Sequence, residues 1–384
     1  MRTRTHRRRR VLSAIVLLSF VGGACGGSGS APSTSPSPTT TTTPPTSTTS
    51  ATTTTTTTTT TAPTTTTTTT APRTTTTLPA PVGDVTVPLG SVSQLGDDWT
   101  ELFVIGYGSD DDLLGTAPGG DSGSLQLGPD YGTQAADGTW WFLDAAKQRL
   151  AHFSDSGTYL DAVAVPPDLL ADGVYFQYQL PHALDDGTIV ASRLGLGSSS
   201  LLLLSDGEVT SVQVDTLFVA VTDDGQSLYG SNDHGALFRV DPATGAAEQV
   251  EWLGNRAGTR YRVQAQGDTL AIDLPDTTIG QVVLHLVYAA DETVPAFAGV
   301  EAETGADGSL YLFLYGGTDS GDGGQLAGFV AMSADGAVTA IEPSRDPFSP
   351  ADPGSPAHLG VRPGDAVPWL MFVDTDGVHV FRRA

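Results

Sequence analysis

The sequence predicts an all-β fold for residues 83–384. Short apolar segments recur throughout this region, and tight turns rich in Asp, Ser and Gly separate them. Such turn residues tolerate positive φ angles, while aromatic and β-branched residues favour strands. The strand–turn unit occurs six times, with a period of roughly 40–50 residues that is typical of a β-propeller. We therefore predict a six-bladed β-propeller.

Each unit starts with a turn, which is followed by an apolar strand, a second strand and a second turn. The first turns are Asp137-Gly138, Asp186-Gly187, Asp224-Gly225, Gly267-Asp268, Asp307-Gly308 and Gly364-Asp365. The second strands are clearest at Leu201–Leu204, Ala236–Val240, Val282–Val287, Phe329–Met332 and Val378–Phe381. This regular order predicts that every blade is an antiparallel meander.

The sixth unit lacks the last strand that the other units carry, because the sequence stops at Ala384. A similar segment, Gly83–Val87, stands at the start of the region. We predict that it pairs with Val378–Phe381 and closes the ring, which removes an open sheet edge. Residues 90–127 contain a further apolar segment, Leu102–Tyr107, so a seven-bladed ring is the alternative.

Residues 1–24 have the pattern of a secretory signal peptide. A basic segment, Arg7–Arg10, precedes the apolar run Val11–Val21 and the small residues Gly22–Ala24. Cys25 follows directly, and this arrangement resembles the lipobox of bacterial lipoproteins, although Gly22 stands where leucine is usual. The resemblance implies that Cys25 is lipidated. The alternative is ordinary cleavage, which would leave Cys25 as a free thiol.

Residues 25–82 are expected to form a disordered, extended stalk. Residues 31–82 contain 30 threonines together with many prolines, so almost no apolar side chains are available to form a core. Such a stalk would hold the domain on the outer face of the cell membrane and let it reach into the cell wall or the extracellular space. The composition also fits an O-glycosylated stalk, and an unmodified flexible linker is the alternative.

The charge of the folded region argues against binding to nucleic acid. Residues 83–384 hold all 43 acidic residues and 11 of the 18 basic ones, a net charge of −32. A surface of this sign repels phosphate backbones and favours a soluble, monomeric protein. The lipid anchor is therefore the expected membrane contact, and the other partner is an unidentified extracellular ligand or protein.

One unit, Gly128 to Gly157, resembles the NHL repeat of six-bladed propellers. It combines a Gly-Pro lead, an Asp-Gly turn and an aromatic strand with Asp144, Arg149 and Phe153 at the characteristic positions. The other units keep the architecture but not this residue pattern. In NHL repeats the Asp and Arg mostly hold the strands of one blade together, which implies a structural role for Asp144 and Arg149.

No motif for a catalytic centre is recognisable in the sequence. Asp110 and Asp112, and likewise Asp319 and Asp322, lie in oxygen-rich loops that are candidates for Ca²⁺, but neither loop has EF-hand spacing. We otherwise expect no cofactor. Six histidines are spread over the region, and we expect them in core, surface or inter-strand positions. A tethered binding module is the favoured function, and an extracellular propeller hydrolase or lyase acting on a sugar, lactone or cell-wall component is the alternative.

Overall fold

The protein is described by a computed structural model. The described residues are 82–89, 98–116, 132–169, 178–195, 198–232, 235–266, 268–277, 280–288, 297–317, 325–345, 358–373 and 377–384. They form almost only β-strands, with one short 3₁₀ turn at Ala145–Lys147. None of the described helical segments is long and apolar enough to cross a membrane. Cys25 and the predicted signal peptide lie outside the described residues.

The strands form six sheets, which are the six blades of a β-propeller. The first two strands are β1 (Val82–Leu89) and β2 (Trp99–Gly106). Blade one contains β3 (Gly132–Gln134), β4 (Trp140–Asp144), β5 (Arg149–Phe153) and β6 (Tyr159–Ala164). Blade two contains β7 (Tyr178–Ala183), β8 (Ile189–Gly195), β9 (Ser198–Ser205) and β10 (Glu208–Val214). Blade three contains β11 (Val219–Asp223), β12 (Leu228–Ser231), β13 (Leu237–Val240) and β14 (Ala247–Val250).

The remaining three blades follow in chain order. Blade four contains β15 (Leu253–Gly254), β16 (Arg260–Gln266), β17 (Thr269–Leu274) and β18 (Gly280–Tyr288). Blade five contains β19 (Phe297–Thr304), β20 (Leu310–Gly317), β21 (Gln325–Met332) and β22 (Val338–Arg345). Blade six contains β23 (His358–Val361), β24 (Pro368–Val373) and β25 (Gly377–Arg383), and β2 is its outermost strand. The first strands contact one another around the ring, and β11 contacts β19 as well as the short β15, so the first strands surround the propeller axis.

A glycine with positive φ lies in the turn between the first and second strand of every blade. This left-handed backbone conformation is readily accessible to glycine and strained for most other residues. Glycine therefore allows the tight turn by which the chain leaves the first strand, next to the axis, and enters the second strand farther out. The six residues are Gly138, Gly187, Gly225, Gly258, Gly308 and Gly364.

The apolar core consists of layers between neighbouring blades rather than one central cluster. For example, Trp140 of blade one packs edge-on against Trp369 of blade six, with ring centroids 5.0 Å apart. Phe218 and Leu228 of blade three pack with Val190 and Leu201 of blade two. Because each layer needs both of its blades, the domain is expected to unfold as one unit.

The prediction that an N-terminal strand closes the ring is confirmed, but the predicted strand is wrong. β2, which lies within the region considered for a seventh blade, pairs antiparallel with β25 and completes blade six. Val85–Val87 belong instead to β1, which pairs parallel with β18 at the outer edge of blade four. The ladder with β25 extends from Trp99 to Gly106. The two strands are equally long, but β1 carries Gly83 and Asp84, which are residue types that strands disfavour.

The predicted register of the fourth unit is also wrong by one strand. Gly267-Asp268 connects the second and third strands of blade four, not the first and second. The true first turn is Asn255 to Gly258, and it follows a first strand of only two residues, Leu253–Gly254. A strand this short leaves no alternation of apolar and polar residues that the sequence pattern could reveal.

Candidate functional site

Charged and polar side chains from four blades meet at the axis, where the first strands end. His182 and Glu303 are the next-to-last residues of β7 and β19, and Asp223 is the last residue of β11. Asp185 and Arg256 lie in the turns after β7 and β15. We call these five residues the axial cluster.

Arg256 shows that the cluster lies at the axis. Its Nη1 is 2.7 Å from Asp185 Oδ1, and its Nη2 is 2.8 Å from Asp223 Oδ1 and also donates to the carbonyl oxygen of Ala183. Arg256 thus joins blade four to blade two as well as to blade three. Blades two and four are not neighbours, so their side chains can meet only near the centre of the ring.

Asp223 is the central acceptor of the cluster. A β-bulge in β11 between Ala220 and Thr222 precedes it, and bulges re-aim the side chains that follow them. Its Oδ2 lies 3.0 Å from His182 Nδ1, and its Oδ1 accepts a hydrogen bond of 2.8 Å from the backbone N–H of Gly225. Burial raises the pKa of the Asp223 carboxyl, but the hydrogen bond with His182 and the charge of Arg256 outweigh it, so the pKa lies below its ordinary value.

Asp223 orients the imidazole ring of His182. A carboxylate only accepts hydrogen bonds, so Nδ1 of His182 carries a proton and donates a hydrogen bond to Asp223. Only 5 % of the His182 side chain is exposed, and its Nε2 has no hydrogen-bond partner among the described residues. His182 therefore links blades two and three and leaves one buried ring nitrogen without a hydrogen-bond partner in that part of the chain.

Glu303 is the partly exposed carboxyl group of the cluster. Water reaches part of the Glu303 side chain, although protein atoms surround most of it. Burial raises the pKa of Glu303 well above its ordinary value, and the nearby charges of Asp223 and Glu301 raise it further, while Arg256 opposes them. A fraction of Glu303 is thus protonated at pH values where an exposed glutamate would be fully ionised.

A second buried pair joins blades five and six. His358 Nδ1 lies 3.0 Å from Glu301 Oε2, which also accepts a hydrogen bond of 2.7 Å from the backbone N–H of Leu359. Both side chains are largely buried, with 5 % and 12 % exposure. His182 and His358 therefore both lie between neighbouring blades.

Asp144 and Arg149 are structural, in agreement with the NHL resemblance. The Arg149 Nε lies 2.9 Å from Oδ2 of the fully buried Asp144. Asp144 also accepts a hydrogen bond of 3.1 Å from the backbone N–H of Gly115, while Arg149 donates to the carbonyl oxygens of Asp111 and Leu113. The pair thus fastens the loop after β2 to blade one.

Of the four calcium candidates, Asp110 and Asp112 lie in the described residues. Asp110 and Asp112 are exposed, and the carbonyl oxygens of Asp110 and Leu113 accept hydrogen bonds from Lys147 Nζ, so these oxygens already face a cation. Asp319 and Asp322 lie outside the described residues. In the part of the chain that is described, no group of three or more His, Cys, Asp or Glu residues is arranged to hold a metal ion.

The sequence pattern did not identify the axial cluster. Each member of the cluster lies in or next to a first turn, and the sequence pattern located these turns in every blade except blade four. Asp residues, however, are common in turns because their side chains hydrogen-bond to the nearby backbone. Arg256 carried the most useful signal, since it is a long basic side chain in the turn after β15 of a strongly acidic domain. That turn was assigned to the wrong place, so the signal was missed.

The fold defines the broad class of this domain, which is a six-bladed β-propeller. The sequence also matches one specific protein family. Residues 97–383 match the family described as "Domain of unknown function (DUF7485)", and the chain belongs to that family. The matched region begins just before β2, so it contains all six blades but not β1. A search of the curated proteins found no match.

Several solved propellers are similar to this chain in fold. They include a catalytically inactive variant of virginiamycin B lyase from Staphylococcus aureus, with 13% identity, coverage of 66% of this chain and 80% of that chain, and a TM-score of 0.36. A calcium-binding protein, regucalcin, from Agrobacterium tumefaciens has 14% identity, coverage of 78% and 95%, and a TM-score of 0.37. An endo-arabinase from Bacteroides thetaiotaomicron has 11% identity, coverage of 68% and 95%, and a TM-score of 0.37. Similarity at this level supports no inference about ligand or activity.

Proposed function

We propose that this chain is an exported, surface-tethered β-propeller that binds an extracellular ligand at the axial cluster. The convergence of five ionisable side chains from four blades at one end of the axis is the observation that supports this proposal. Layers of apolar side chains already connect neighbouring blades, and buried charged groups cost free energy even when paired. Binding sites are a common reason for keeping such groups.

Export and tethering are proposed from the sequence. The signal-like segment, Cys25 and the threonine-rich stalk place the propeller outside the cell on an extended linker. The net charge of −32 for residues 83–384 is compatible with that location and disfavours nucleic acid as a partner. The partner is therefore an extracellular molecule that reaches the propeller in the cell wall or the medium.

The binding proposal is tested with a matched pair of arginine variants. The exported chain is screened against neutral saccharides, amines, carboxylates and short peptides by ligand-induced changes in melting temperature. We expect at least one class to bind, Arg256→Ala to lose that binding, and Arg260→Ala to keep it, because Arg260 forms only an exposed pair with Asp276. A ligand that binds the folded Arg256→Ala protein as tightly as the wild type would locate the site elsewhere.

A hydrolase or lyase acting on a sugar, lactone or cell-wall component is the second candidate function. The observation that favours it is the Asp223–His182 pair near Glu303, because a histidine oriented by a carboxylate and an acid of raised pKa are groups that perform acid–base catalysis. Turnover of a bound ligand, abolished in a folded Glu303→Gln variant, would favour the enzyme.

A further inference from the structure

The charged groups around Glu303 are already engaged with partners. Asp223 accepts a hydrogen bond from the backbone N–H of Gly225, forms an ion pair with Arg256 and pairs with His182. Arg256 pairs with two carboxylates, and Glu301 pairs with His358. These groups are therefore explained by the contacts that they make between blades.

Glu303 differs from these groups. It is partly exposed, and no side chain in the described part of the chain donates a hydrogen bond to its carboxyl group. The hydrogen bond that its carboxyl group accepts comes from the backbone N–H of Thr304, and a partly buried carboxylate without a side-chain donor destabilises a fold. Glu303 is thus the group of the cluster that contacts within the propeller do not account for.

Two buried polar atoms near the same end of the first strands also lack partners. His182 Nε2 and Asn255 Nδ2 have none among the described residues, although 5 % or less of each side chain or residue is exposed. Buried polar groups are nearly always hydrogen-bonded. Together with Glu303, they indicate a polar region that is incomplete without a ligand.

The local charge decides which kind of ligand this region favours. Asp185, Asp223 and Glu303 bring three carboxyl groups, and Arg256 is the one guanidinium among them, already shared between two of the carboxylates. An anion would meet no unshared cation in the axial cluster and would be repelled by a domain of net charge −32. A cation is attracted both by the carboxylates of the axial cluster and by the negative net charge of the domain.

We propose that the axial cluster binds an organic cation that carries a primary or secondary amine, and that the Glu303 carboxylate is its direct partner. This inference rests on the proposed function and names the ligand class of the same site. The ammonium group donates to Glu303 in a charge-assisted hydrogen bond. Asp185 and Asp223 together carry one negative charge more than Arg256 neutralises, and this excess attracts the cation.

Binding of such a ligand is linked to pH. Glu303 faces Asp223 from β11, Arg256 from blade four, Tyr261 from β16 and Glu301 on its own strand. Ordinary burial and the acidic neighbours hold the pKa of Glu303 high in the free protein, and an ammonium ion beside it lowers that pKa. Affinity for the amine therefore decreases as the pH falls through the pKa of Glu303 in the free protein.

Three four-carbon probes of matched length and different charge test this inference. They are putrescine, butanediol and succinate, added to the full exported chain at constant ionic strength. Binding is measured by calorimetry and by the ¹³C carboxyl resonance of Glu303. Two variants are compared with the wild type: Glu303→Gln removes the charge at the axis, and Glu208→Gln removes the same charge from an exposed position on β10.

The expected result is that putrescine binds and shifts the titration of Glu303 to lower pH, while butanediol and succinate do neither. Glu303→Gln is expected to weaken putrescine binding about tenfold or more, and Glu208→Gln to leave it unchanged. Equal binding of putrescine to both variants, or no binding to the wild type, overturns the inference. Binding of butanediol or succinate that depends on Arg256 overturns the amine as ligand class but leaves the proposed binding function standing.

Discussion

At the residue scale, contacts within one blade were predictable and contacts between blades were not. Asp144 and Arg149 lie in one hairpin, and the resemblance of that hairpin to an NHL repeat already implied that they hold one blade together. His182, Asp223, Arg256 and Glu303 come from four blades, and the geometry of the ring alone brings them together. Local patterns of polar residues carry no information about such contacts, since turn residues are polar for reasons of backbone geometry.

Glu303→Gln is expected to stabilise the protein at neutral and alkaline pH. The pKa of Glu303 is raised in the folded state, so its favourable contribution is fully present below the ordinary pKa of glutamate and is lost as the pH rises through the raised value. Above that value the carboxylate destabilises the fold, and glutamine removes it at similar volume. We expect a gain on the order of 1 kcal/mol in urea unfolding at alkaline pH and no gain in acid.

Glu208→Gln serves as the control for this measurement, because Glu208 is exposed on β10. Its stability should follow that of the wild type at all pH values. A Glu303→Gln variant that is less stable than the wild type at alkaline pH would show that the carboxylate has a stabilising partner.

Arg149→Ala is expected to destabilise the domain strongly. Asp144 is fully buried, and Arg149 neutralises it at 2.9 Å. Removal of one partner of a buried ion pair leaves an uncompensated charge and typically costs about 3–5 kcal/mol. Thermal unfolding of Arg149→Ala should therefore occur at a clearly lower temperature.

The matched variant is Arg260→Ala, which breaks an exposed pair with Asp276. Exposed pairs contribute about 0–1 kcal/mol, so its melting temperature should stay close to that of the wild type. Equal effects of the two substitutions would contradict the structural role of the Asp144–Arg149 pair.

At the element scale, the repeat predicted the number of blades but not the order of every strand. Five of the six first turns were assigned correctly, because a strand of normal length precedes each of them. Blade four was shifted because β15 has two residues, and β1 was taken for β2 because both are N-terminal apolar segments. The antiparallel pairing of β2 with β25 depends on long-range register, which an isolated strand pattern does not encode.

The two N-terminal strands are expected to differ in importance. A chain that starts at residue 97 lacks β1 but keeps the whole ring, so it should fold, with a lower melting temperature because buried Val87 is lost from the layer between blades four and five. A chain that starts at residue 108 lacks β2 and opens blade six. We expect this shorter chain to aggregate, since it exposes the edge of β25 and removes Phe103 and Ile105 from the core.

Circular dichroism and size-exclusion chromatography of the two truncated chains provide the measurement. The same structure from both chains would mean that β2 is dispensable. Aggregation of both would mean that β1 also belongs to the essential ring.

At the scale of the whole molecule, the sequence predicts a propeller held away from the membrane by a stalk. The family match covers residues 97–383, so the six blades form the unit that this family shares. The preceding segments carry the predicted signal peptide and anchor, and we expect them to determine where the propeller acts rather than what it binds. The acidic charge lies entirely in the propeller region, where it favours cationic ligands and disfavours anionic ones.

Cys25→Ser tests the anchor. The lipobox resemblance implies that the lipid is attached to the Cys25 thiol, so the serine variant should appear in the culture medium while the wild type fractionates with membranes. Both proteins should be exported, because the signal segment is unchanged. Identical membrane fractionation of the two proteins would contradict lipid anchoring at Cys25.

Hydrogen exchange of the exported chain with and without putrescine tests the central claim most directly. That claim is that the propeller binds its ligand where the first strands of blades two to five converge. The account predicts slower exchange on addition of putrescine at the ends of β7, β11 and β19 and in the turn that carries Arg256, with the outer strands unchanged. Protection confined to outer strands, or equal protection in Glu303→Gln, would contradict it.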